Sequence, residues 1–337
     1  MATMNALVYN NYGDIDQLHF EEVKVPEPNE GEVLIKVHAS SINAGDLVLL
    51  KGEPAVIRLV FGIFSPRHKI LGHDVSGTIA KLGNGVSEFK EGDAVYGPIP
   101  IFFNGSFAEY VSIPAKIISK KPESMSFEEA AAFPTAAVTA LQSLRDYRPP
   151  PNTTLDTPSE SMNKKEKVMI YGASGGVGAY AIQIAKHLGY EVTAVCSTRN
   201  LDQARQFGAD NVIDYKTQSV FEGAEHQFDL IFAANGDNSV ASYKSLLKKD
   251  GVFTTCGGSG KQSLQAVLHG LVLSRGKVNY HSFIPSREDL DIISELFESK
   301  KLDPNVDCVF PKDRIIEALR YSSDGKAKGK VVIKMIP

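Results

Sequence analysis

Hydrophobic and polar positions alternate along the first third of the chain, as they do in half-buried β-strands. The alternation is clearest at residues 4–9, 32–39 and 74–81. Turn-forming sequences, such as those at residues 83–85 and 91–93, separate these segments. The pattern predicts a β-rich domain that folds as an irregular barrel.

The pattern changes at Ser126, where strands begin to alternate with helices. Ser126 and Glu129 form the sequence of a capped helix start, and an alanine-rich run follows. The apolar segments that predict strands are residues 168–171, 192–196, 211–213, 230–233, 252–256 and 278–283. This alternation predicts an α/β domain with a parallel sheet covered on both faces, and residues 277–283 are expected at its edge. After it, one helix at 288–300 and a final strand at 330–335 are expected to dock on the first domain.

A glycine-rich turn after the first of these apolar strands has the composition of a dinucleotide-binding turn. A strand precedes it and an amphipathic helix follows at once. A glycine at 175 lets a pyrophosphate approach the backbone, and a glycine at 178 lets the helix pack on the sheet. The helix start also offers unpaired N–H groups to phosphates. The predicted cofactor contacts in this turn are Ala173, Ser174, Gly175, Gly176, Val177 and Gly178.

The composition is that of a soluble globular protein and excludes some functions. Hydrophobic residues make up 43% and charged residues 23% of the 337 positions, and the net charge is −4. This balance argues against a nucleic-acid partner, and no apolar run is long enough to span a membrane. The three cysteines are far apart in the sequence, which favours a reducing compartment. We expect a cytoplasmic protein and leave an organelle open.

Six motifs, in their order and spacing, resemble those of the medium-chain dehydrogenase/reductase superfamily. They are ASSINAGD at 39–46, LGHDVSG at 71–77, PTAAVTA at 134–140, the glycine turn at 173–178, GADNVIDY at 208–215 and GKVV at 329–332. The resemblance is greatest to the zinc-free quinone oxidoreductases of the zeta-crystallin type and to plant alkenal and chloroplast-envelope oxoene reductases.

The resemblance implies a domain organisation and several site residues. Residues 1–125 and 285–337 would form a catalytic domain of GroES-like irregular barrel type, and residues 126–284 a Rossmann domain, with a cleft between them for nicotinamide and substrate. Residues 148–167, which are rich in proline and polar residues, are expected to be a flexible insertion in the Rossmann domain. Thr135 and Lys330 would contact the cofactor.

The sequence after the second Rossmann strand favours NADPH over NADH. An NAD site usually has an acidic residue about 20 positions beyond the turn, but residues 195–200 contain no carboxylate. They contain Ser197, Thr198 and Arg199, and a phosphate favours such donors. The resemblance assigns the 2′-phosphate to Ser197 and Arg199 and adds Tyr215. The alternative for Arg199 is an ordinary solvated loop arginine.

The sequence predicts no metal site. The zinc-dependent relatives use a cysteine where this chain has Asn43, and the histidine motif reads Gly72-His73-Asp74. An amide and one histidine fall short of the three protein ligands that a catalytic zinc needs. His73 is therefore expected to be a structural, hydrogen-bonded histidine.

Without a metal, the cofactor must supply most of the chemistry. We therefore predict an NADPH-dependent reductase that transfers hydride to quinones or to the C=C bond of α,β-unsaturated carbonyls. The candidates for a hydrogen bond to the developing oxygen charge are Asn43, Tyr96, Tyr280 and His281, each with packing as the alternative. Asn235, Gly257 and Gly258 follow sheet strands and are predicted cofactor contacts.

The expected partner is a small hydrophobic electrophile. Two apolar stretches, at residues 57–64 and 98–103, are candidates for its pocket. The edge strand favours a homodimer, as in relatives of the family. The alternative from another class is an NADPH-binding sensor or partner protein with little turnover.

Overall fold

The computed structural model describes residues 2–147, 165–223, 225–258, 260–268 and 277–336. They form two compact units. The first unit comprises Met1–Thr135, Pro285–Glu298 and Val306–Pro337, and the second comprises Ala136–Ile284 and Ser299–Asn305. The expected insertion at 148–167 lies outside the described residues, except for its last three, and Lys167 already belongs to a strand.

The strands are β1 (Thr3–Val8), β2 (His19–Lys24), β3 (Glu32–Ser41), β4 (Asp74–Leu82), β5 (Ala94–Pro98), β6 (Tyr110–Pro114), β7 (Ser119–Lys120), β8 (Lys167–Tyr171), β9 (Glu191–Cys196), β10 (Asn211–Asp214), β11 (Phe228–Ala233), β12 (Leu247–Thr255), β13 (Val278–Tyr280), β14 (Val306–Pro311) and β15 (Lys330–Lys334). The helices are α1 (Ala44–Lys51), α2 (Ile57–Phe61), α3 (Phe127–Ala132), α4 (Pro134–Arg145), α5 (Gly176–His187), α6 (Leu201–Gln206), α7 (Val240–Leu246), α8 (Gly260–Leu268), α9 (Arg287–Glu298) and α10 (Ile315–Ser323).

The first unit is built on a mixed sheet in the order β14-β15-β3-β4-β5-β7, with β6 also paired to β3. Alternating residues of these strands, such as Val33, Ile35 and Val37 of β3, are fully buried in one large apolar core. The last strand of the chain, β15, runs antiparallel to β3. The final strand of the chain thus lies in the sheet of the first unit.

The second unit is built on a six-stranded sheet in the order β10-β9-β8-β11-β12-β13, and every pair in it is parallel. The predicted α/β class and parallel sheet are confirmed, and β13 lies at an edge as expected. The strand order reverses between β8 and β11, because the chain adds β9 and β10 on one side and the later strands on the other. Ligands of doubly wound sheets bind at the carboxyl ends of the strands at such a reversal. The glycine turn follows β8 at this point.

Two features differ from the expected organisation. Helix α3 belongs to the first unit, so the second unit begins at Ala136 rather than at residue 126. The reason is packing, since Ala131 and Ala132 of α3 are buried against Ala39 of β3 and Val332 of β15. Strand β14 and helix α10 were not predicted from the sequence.

Candidate functional site

In the turn between β8 and α5, the protein's own backbone requires glycine at two positions. Gly172 has a φ of 77°, a left-handed conformation that favours glycine. A Cβ on Gly178 would lie 2.2 Å from the carbonyl oxygen of Gly172, so a side chain there would force the helix away from the turn. Ala173 is buried, and its N–H donates to the carbonyl of Val195 over 3.1 Å. These contacts fix the start of α5 against the ends of β8 and β9.

Gly175 is different, because no protein atom requires a glycine there. Its φ is −73°, which any residue adopts, and a Cβ would have only the carbonyl oxygen of Gly172 nearby, at 3.7 Å. Gly175 is exposed and precedes α5 without a side-chain cap at the helix start. The space that a side chain would fill is therefore open at a helix N-terminus, and the turn fits a dinucleotide whose pyrophosphate approaches the backbone.

The predicted 2′-phosphate residues lie on a short 3₁₀ turn directly after β9. Ser197 precedes this turn half-buried, whereas Thr198 and the Arg199 side chain on the turn are exposed. The sequence analysis did not consider Asp214, which ends the neighbouring strand β10. Its carboxylate accepts a hydrogen bond from Thr198 over 2.5 Å, and this bond lowers the pKa of Asp214 below the usual value. The loop thus presents one hydroxyl and one guanidinium, while the nearby carboxylate is engaged with Thr198.

Other predicted cofactor residues follow strands of the same sheet. Tyr215 follows β10 with 47% of its surface exposed, and its ring stacks on that of Tyr171 with centroids 6.4 Å apart. Asn235 follows β11 and is exposed. Tyr171, Tyr215 and Asn235 all lie in strand ends or loops at the carboxyl edge of the sheet, where a nucleotide would lie.

Gly257 and Gly258 follow β12, but the backbone itself explains both glycines. Gly258 has a φ of 101°, and a Cβ on it would lie 2.5 Å from the carbonyl oxygen of Gly236. A Cβ on Gly257 would lie 2.9 Å from the carbonyl oxygen of Ala234. Their glycine character therefore gives no independent support for a close approach of the nicotinamide.

A buried polar cluster occupies the first unit and centres on Asp74; we call it the Asp74 cluster. Its members are Asn43, Asp46, His73, Asp74 and Lys330. Within it, the Asn43 amide donates to Asp74 over 2.8 Å and accepts from the Lys330 ammonium over 2.6 Å. Asn43 therefore links a buried cation to a buried carboxylate, and both ends of its amide are engaged.

Lys330 is 3% exposed, and its ammonium is engaged inside the protein. Its ammonium donates to the carbonyl of Ile42 over 3.3 Å, to Asn43, and to Asp74 over 3.4 Å. These three oxygens match the three protons of the ammonium. Lys330 is therefore the counter-charge of Asp74, and its predicted contact with the cofactor stays a prediction.

The Asp74 carboxylate also ties the cluster to the start of α4. Its Oδ1 accepts from the backbone N–H of Thr135 over 2.8 Å, and its Oδ2 accepts from Ser41 over 2.7 Å. The Thr135 hydroxyl lies 3.4 Å from the carbonyl oxygen of His73. Thr135, a predicted cofactor contact, is therefore held by the cluster at the border of the first unit.

His73 and Asp46 form the second ion pair of the cluster. Nδ1 of His73 lies 2.6 Å from Asp46 Oδ1, and His73 is only 9% exposed. The same carboxylate accepts from the N–H groups of Gly72 and Asn43, each over 2.8 Å. Burial opposes the charge on the imidazole, but Asp46 and Asp74 outweigh it and raise the pKa of His73. A protonated His73 together with Lys330 would balance the two buried carboxylates.

Two of the predicted oxygen-binding residues are engaged elsewhere. Tyr96 is fully buried on β5, and its hydroxyl donates to the carbonyl of Leu290 on α9 over 2.7 Å. His281 is buried, with Nε2 3.1 Å from the Gln142 amide oxygen and Nδ1 3.2 Å from the Tyr147 hydroxyl. Each therefore fastens an element of its own unit, and its role as a substrate contact stays a prediction.

Tyr280, the remaining aromatic candidate, is 39% exposed at the end of the edge strand β13. Within the described ranges there is no group of three histidine, cysteine, aspartate or glutamate side chains arranged to hold a metal ion. In the same ranges, no helix is long and apolar enough to cross a membrane.

The chain matches known families along both of its units. Residues 29–123 match the alcohol dehydrogenase GroES-like domain, and residues 207–333 match the zinc-binding dehydrogenase family. The chloroplast envelope quinone oxidoreductase homolog of Arabidopsis thaliana is 33% identical over 98% of both chains. This chain belongs to the medium-chain dehydrogenase/reductase superfamily. The resemblance inferred from the six motifs is thereby confirmed.

Other relatives of this dehydrogenase/reductase define its type. The 2-methylene-furan-3-one reductase of Solanum lycopersicum is 33% identical over all of this chain and 80% of that protein. The solved quinone oxidoreductase of Coxiella burnetii superposes with a TM-score of 0.84 at 26% identity, over 99% of this chain and all of the other. The chain is therefore an oxidoreductase of this superfamily, with an NAD(P)H-dependent activity.

The sequence analysis treated the residues of the Asp74 cluster singly and missed that they form one network. Asp46, Asp74 and Ser41 were not predicted to take part in any site. One signal was available, because Asp46 and Asp74 are carboxylates inside otherwise apolar or small-residue motifs. A buried carboxylate needs a partner, so both could have prompted a search for cations.

Proposed function

We propose that this oxidoreductase uses NADPH to reduce activated carbonyl compounds, either quinones or α,β-unsaturated carbonyls. The observation that carries the proposal is the open space at Gly175 before an uncapped helix, followed along the sheet by the Ser197–Arg199 loop. When bound, NADPH supplies a hydride. The protein's own residues then have to bind both molecules, orient them and exclude water.

NADPH is favoured because the loop after β9 carries a guanidinium and hydroxyls at the position where an NAD site carries a carboxylate. Arg199 is exposed there and Ser197 is half-buried, so both are accessible to a phosphate. Asp214 is the one carboxylate that argues for NADH, and it already accepts from Thr198 and from the N–H of Lys216 over 3.0 Å. We assign the 2′-phosphate to Ser197 and Arg199, with the Tyr215 ring beside the adenosine.

An apolar substrate is favoured by the surface of the first unit. Phe61 of α2 stacks on Phe102 with ring centroids 5.4 Å apart. Around this pair, Leu59, Phe64 and Ile101 are exposed, and Phe64 is 92% exposed. Exposed apolar residues grouped in this way mark a surface that binds an apolar ligand or partner. The names of the relatives, a quinone oxidoreductase homolog and a furanone reductase, agree with an apolar electrophile.

The test is a screen of the purified protein for NADPH and NADH oxidation against benzoquinones, short alkenals and cyclic enones. We expect oxidation of NADPH with at least one of these classes and a preference over NADH. Product analysis separates the two reactions, since a quinone gives a hydroquinone and an enone gives a saturated carbonyl. Tight NADPH binding without turnover on any of them would favour the alternative of a sensor protein.

We further propose that the protein is a homodimer that pairs the edge strands β13 of two copies. This strand has a neighbour on one side only among the described residues, and unpaired edges are common pairing sites. Light scattering should give twice the chain mass, and a monomeric mass would remove this proposal.

We also propose a reducing compartment, because Cys196, Cys256 and Cys308 are all free thiols. Cytoplasm is the simplest such location. One relative is named for the chloroplast envelope. Fractionation of the source cells is therefore the experiment that decides the compartment.

A further inference from the structure

Among the polar side chains that line a small pocket in the first unit are Tyr9 and His73, each with a polar atom that has no hydrogen-bond partner among the described residues. The pocket has a volume of about 10 Å³, which is room for a single oxygen-sized group. Tyr9 and His73 line it together with apolar residues that include Leu49, Phe61 and Ile101. A pocket of this composition suits one polar atom carried by an otherwise apolar molecule.

His73 lines this space. Its Nδ1 is held by Asp46, which fixes the ring, whereas Nε2 has no hydrogen-bond partner among the described residues. His73 is nevertheless 91% buried, since 9% of its surface is exposed. When the imidazole is protonated, Nε2 carries a proton that a ligand in the pocket can accept.

Tyr9 follows β1 and is in the same situation. It is 3% exposed and lines the pocket, and its hydroxyl has no hydrogen-bond partner within the part of the chain that the structure describes. The hydroxyl is not among the polar atoms that are fully buried without a partner, so water or a ligand can reach it. Burial, with Tyr12 and Asp46 nearby, raises the pKa of Tyr9, which keeps the phenol protonated as a donor.

We propose that Tyr9 and His73 bind the carbonyl oxygen of the substrate and donate two hydrogen bonds to it. This inference rests on the proposed reduction of enones or quinones, in which negative charge develops on that oxygen. Donors fixed in a low-dielectric site stabilise such charge more than water does. The apolar body of the substrate would then lie against Phe61 and Ile101 at the rim, beside the exposed ring of Phe102.

A larger cavity of about 450 Å³ in the same unit is a weaker candidate for this role. Its walls carry charges of both signs, among them Glu21, Lys24 and Arg67. Tyr9 does not line this cavity, and neither does His73 or any other member of the Asp74 cluster. An apolar carbonyl compound matches the small pocket and its apolar rim better than these charged walls.

The two donors should respond differently to pH. The groups that face His73 are Asp46 on α1, Asp74 on β4, Tyr9 after β1 and His68 in the pocket wall, with Lys330 of β15 bound to Asp74. Loss of the imidazole proton as the pH rises converts Nε2 from a donor to an acceptor. Binding of a carbonyl oxygen should therefore weaken on the alkaline side, whereas the Tyr9 contribution persists.

The experiment compares wild type with Tyr9→Phe, which removes only the unpartnered hydroxyl, and with Tyr110→Phe as the matched control outside the pocket. With NADPH and 2-cyclohexen-1-one at pH 7, Tyr9→Phe should lower kcat/KM about 10-fold or more, with NADPH affinity unchanged. Tyr110→Phe should match wild type. His73→Gln should abolish the alkaline fall in kcat/KM.

A second readout needs no turnover. Cyclohexanone, a carbonyl compound that is not an activated electrophile, is titrated into the protein while the imidazole resonances of His73 are followed by NMR. We expect a saturable shift that Tyr9→Phe weakens and Tyr110→Phe leaves intact. No shift, with Tyr9→Phe as active as wild type on the enone, means that the pocket holds water only and overturns the inference. If the wild type turns over no enone or quinone but the shift is present and sensitive to Tyr9, the pocket stands and the proposed reaction fails.

Discussion

The glycine turn and the Asp74 cluster are built in opposite ways. The turn is a backbone site, in which Gly172 and Gly178 shape the chain and Gly175 leaves space for a ligand. The cluster is a side-chain site, in which buried charges from α1, β4 and β15 neutralise one another. The turn therefore tolerates no added atom at Gly178, whereas the cluster tolerates no lost charge.

The largest expected effect comes from removing one charge of the cluster. Lys330→Met leaves Asp74 buried and unpaired, so we expect the free energy of unfolding to fall by about 3–5 kcal/mol. Chemical denaturation measures it. The matched control is Lys334→Met on the same strand, whose side chain is exposed and which should stay within about 0.5 kcal/mol of wild type. Equal stability of the two variants would show that the cluster is not held by charge.

Adding one carbon atom tests the turn at two positions. Gly178→Ala places a Cβ 2.2 Å from a carbonyl oxygen and should lower the free energy of unfolding by about 2–4 kcal/mol. Gly175→Ala has only an oxygen at 3.7 Å, so it should fold normally and lose NADPH affinity by about 10-fold. Calorimetry on both variants separates stability from binding. Normal NADPH binding by Gly175→Ala would contradict the reason given for this glycine.

A charge reversal after β9 tests the choice of cofactor. Arg199→Glu removes a donor for the 2′-phosphate and adds a repelling carboxylate, so the preference for NADPH over NADH should fall by about 10- to 100-fold, or about 1.4–2.8 kcal/mol. Arg205→Glu, at an exposed position on α6, is the control for net charge. The ratio of kcat/KM values for the two cofactors is the readout. An unchanged ratio in Arg199→Glu would leave Arg199 as an ordinary surface residue.

The smallest of these effects is a pH dependence of stability that belongs to His73. Its pKa is raised in the folded protein, so the ion pair with Asp46 contributes fully below about pH 6.5 and is lost as the pH rises through the raised pKa. The stability difference between wild type and His73→Gln should be about 1–2 kcal/mol at pH 6 and should narrow towards pH 9. His19→Gln, on an exposed histidine, should show no such trend. If the stability difference between wild type and His73→Gln did not change with pH, His73 would be neutral.

The sequence predicted the turn better than the cluster, and the reason is distance along the chain. The turn lies within a few consecutive residues, and local sterics and the adjoining apolar strand specify it. The cluster joins Asn43, Asp74 and Lys330, which the antiparallel pairing of β3 with β4 and β15 brings together. Nothing local to Lys330 distinguishes a phosphate ligand from a buried counter-charge. The same limit applies to Tyr96 and His281, whose partners lie on α9 and α4.

In the proposed reaction, the nucleotide held on the glycine turn delivers its hydride to an activated carbonyl compound. The most direct test incubates the protein with NADPH deuterated at C4, separately on each face, and 2-cyclohexen-1-one or a benzoquinone. We predict oxidation of the cofactor with loss of deuterium from one face only, and with the enone a cyclohexanone that carries this deuterium at C3. Tight binding of NADPH, with neither substrate reduced and all deuterium retained in the cofactor, would contradict the account.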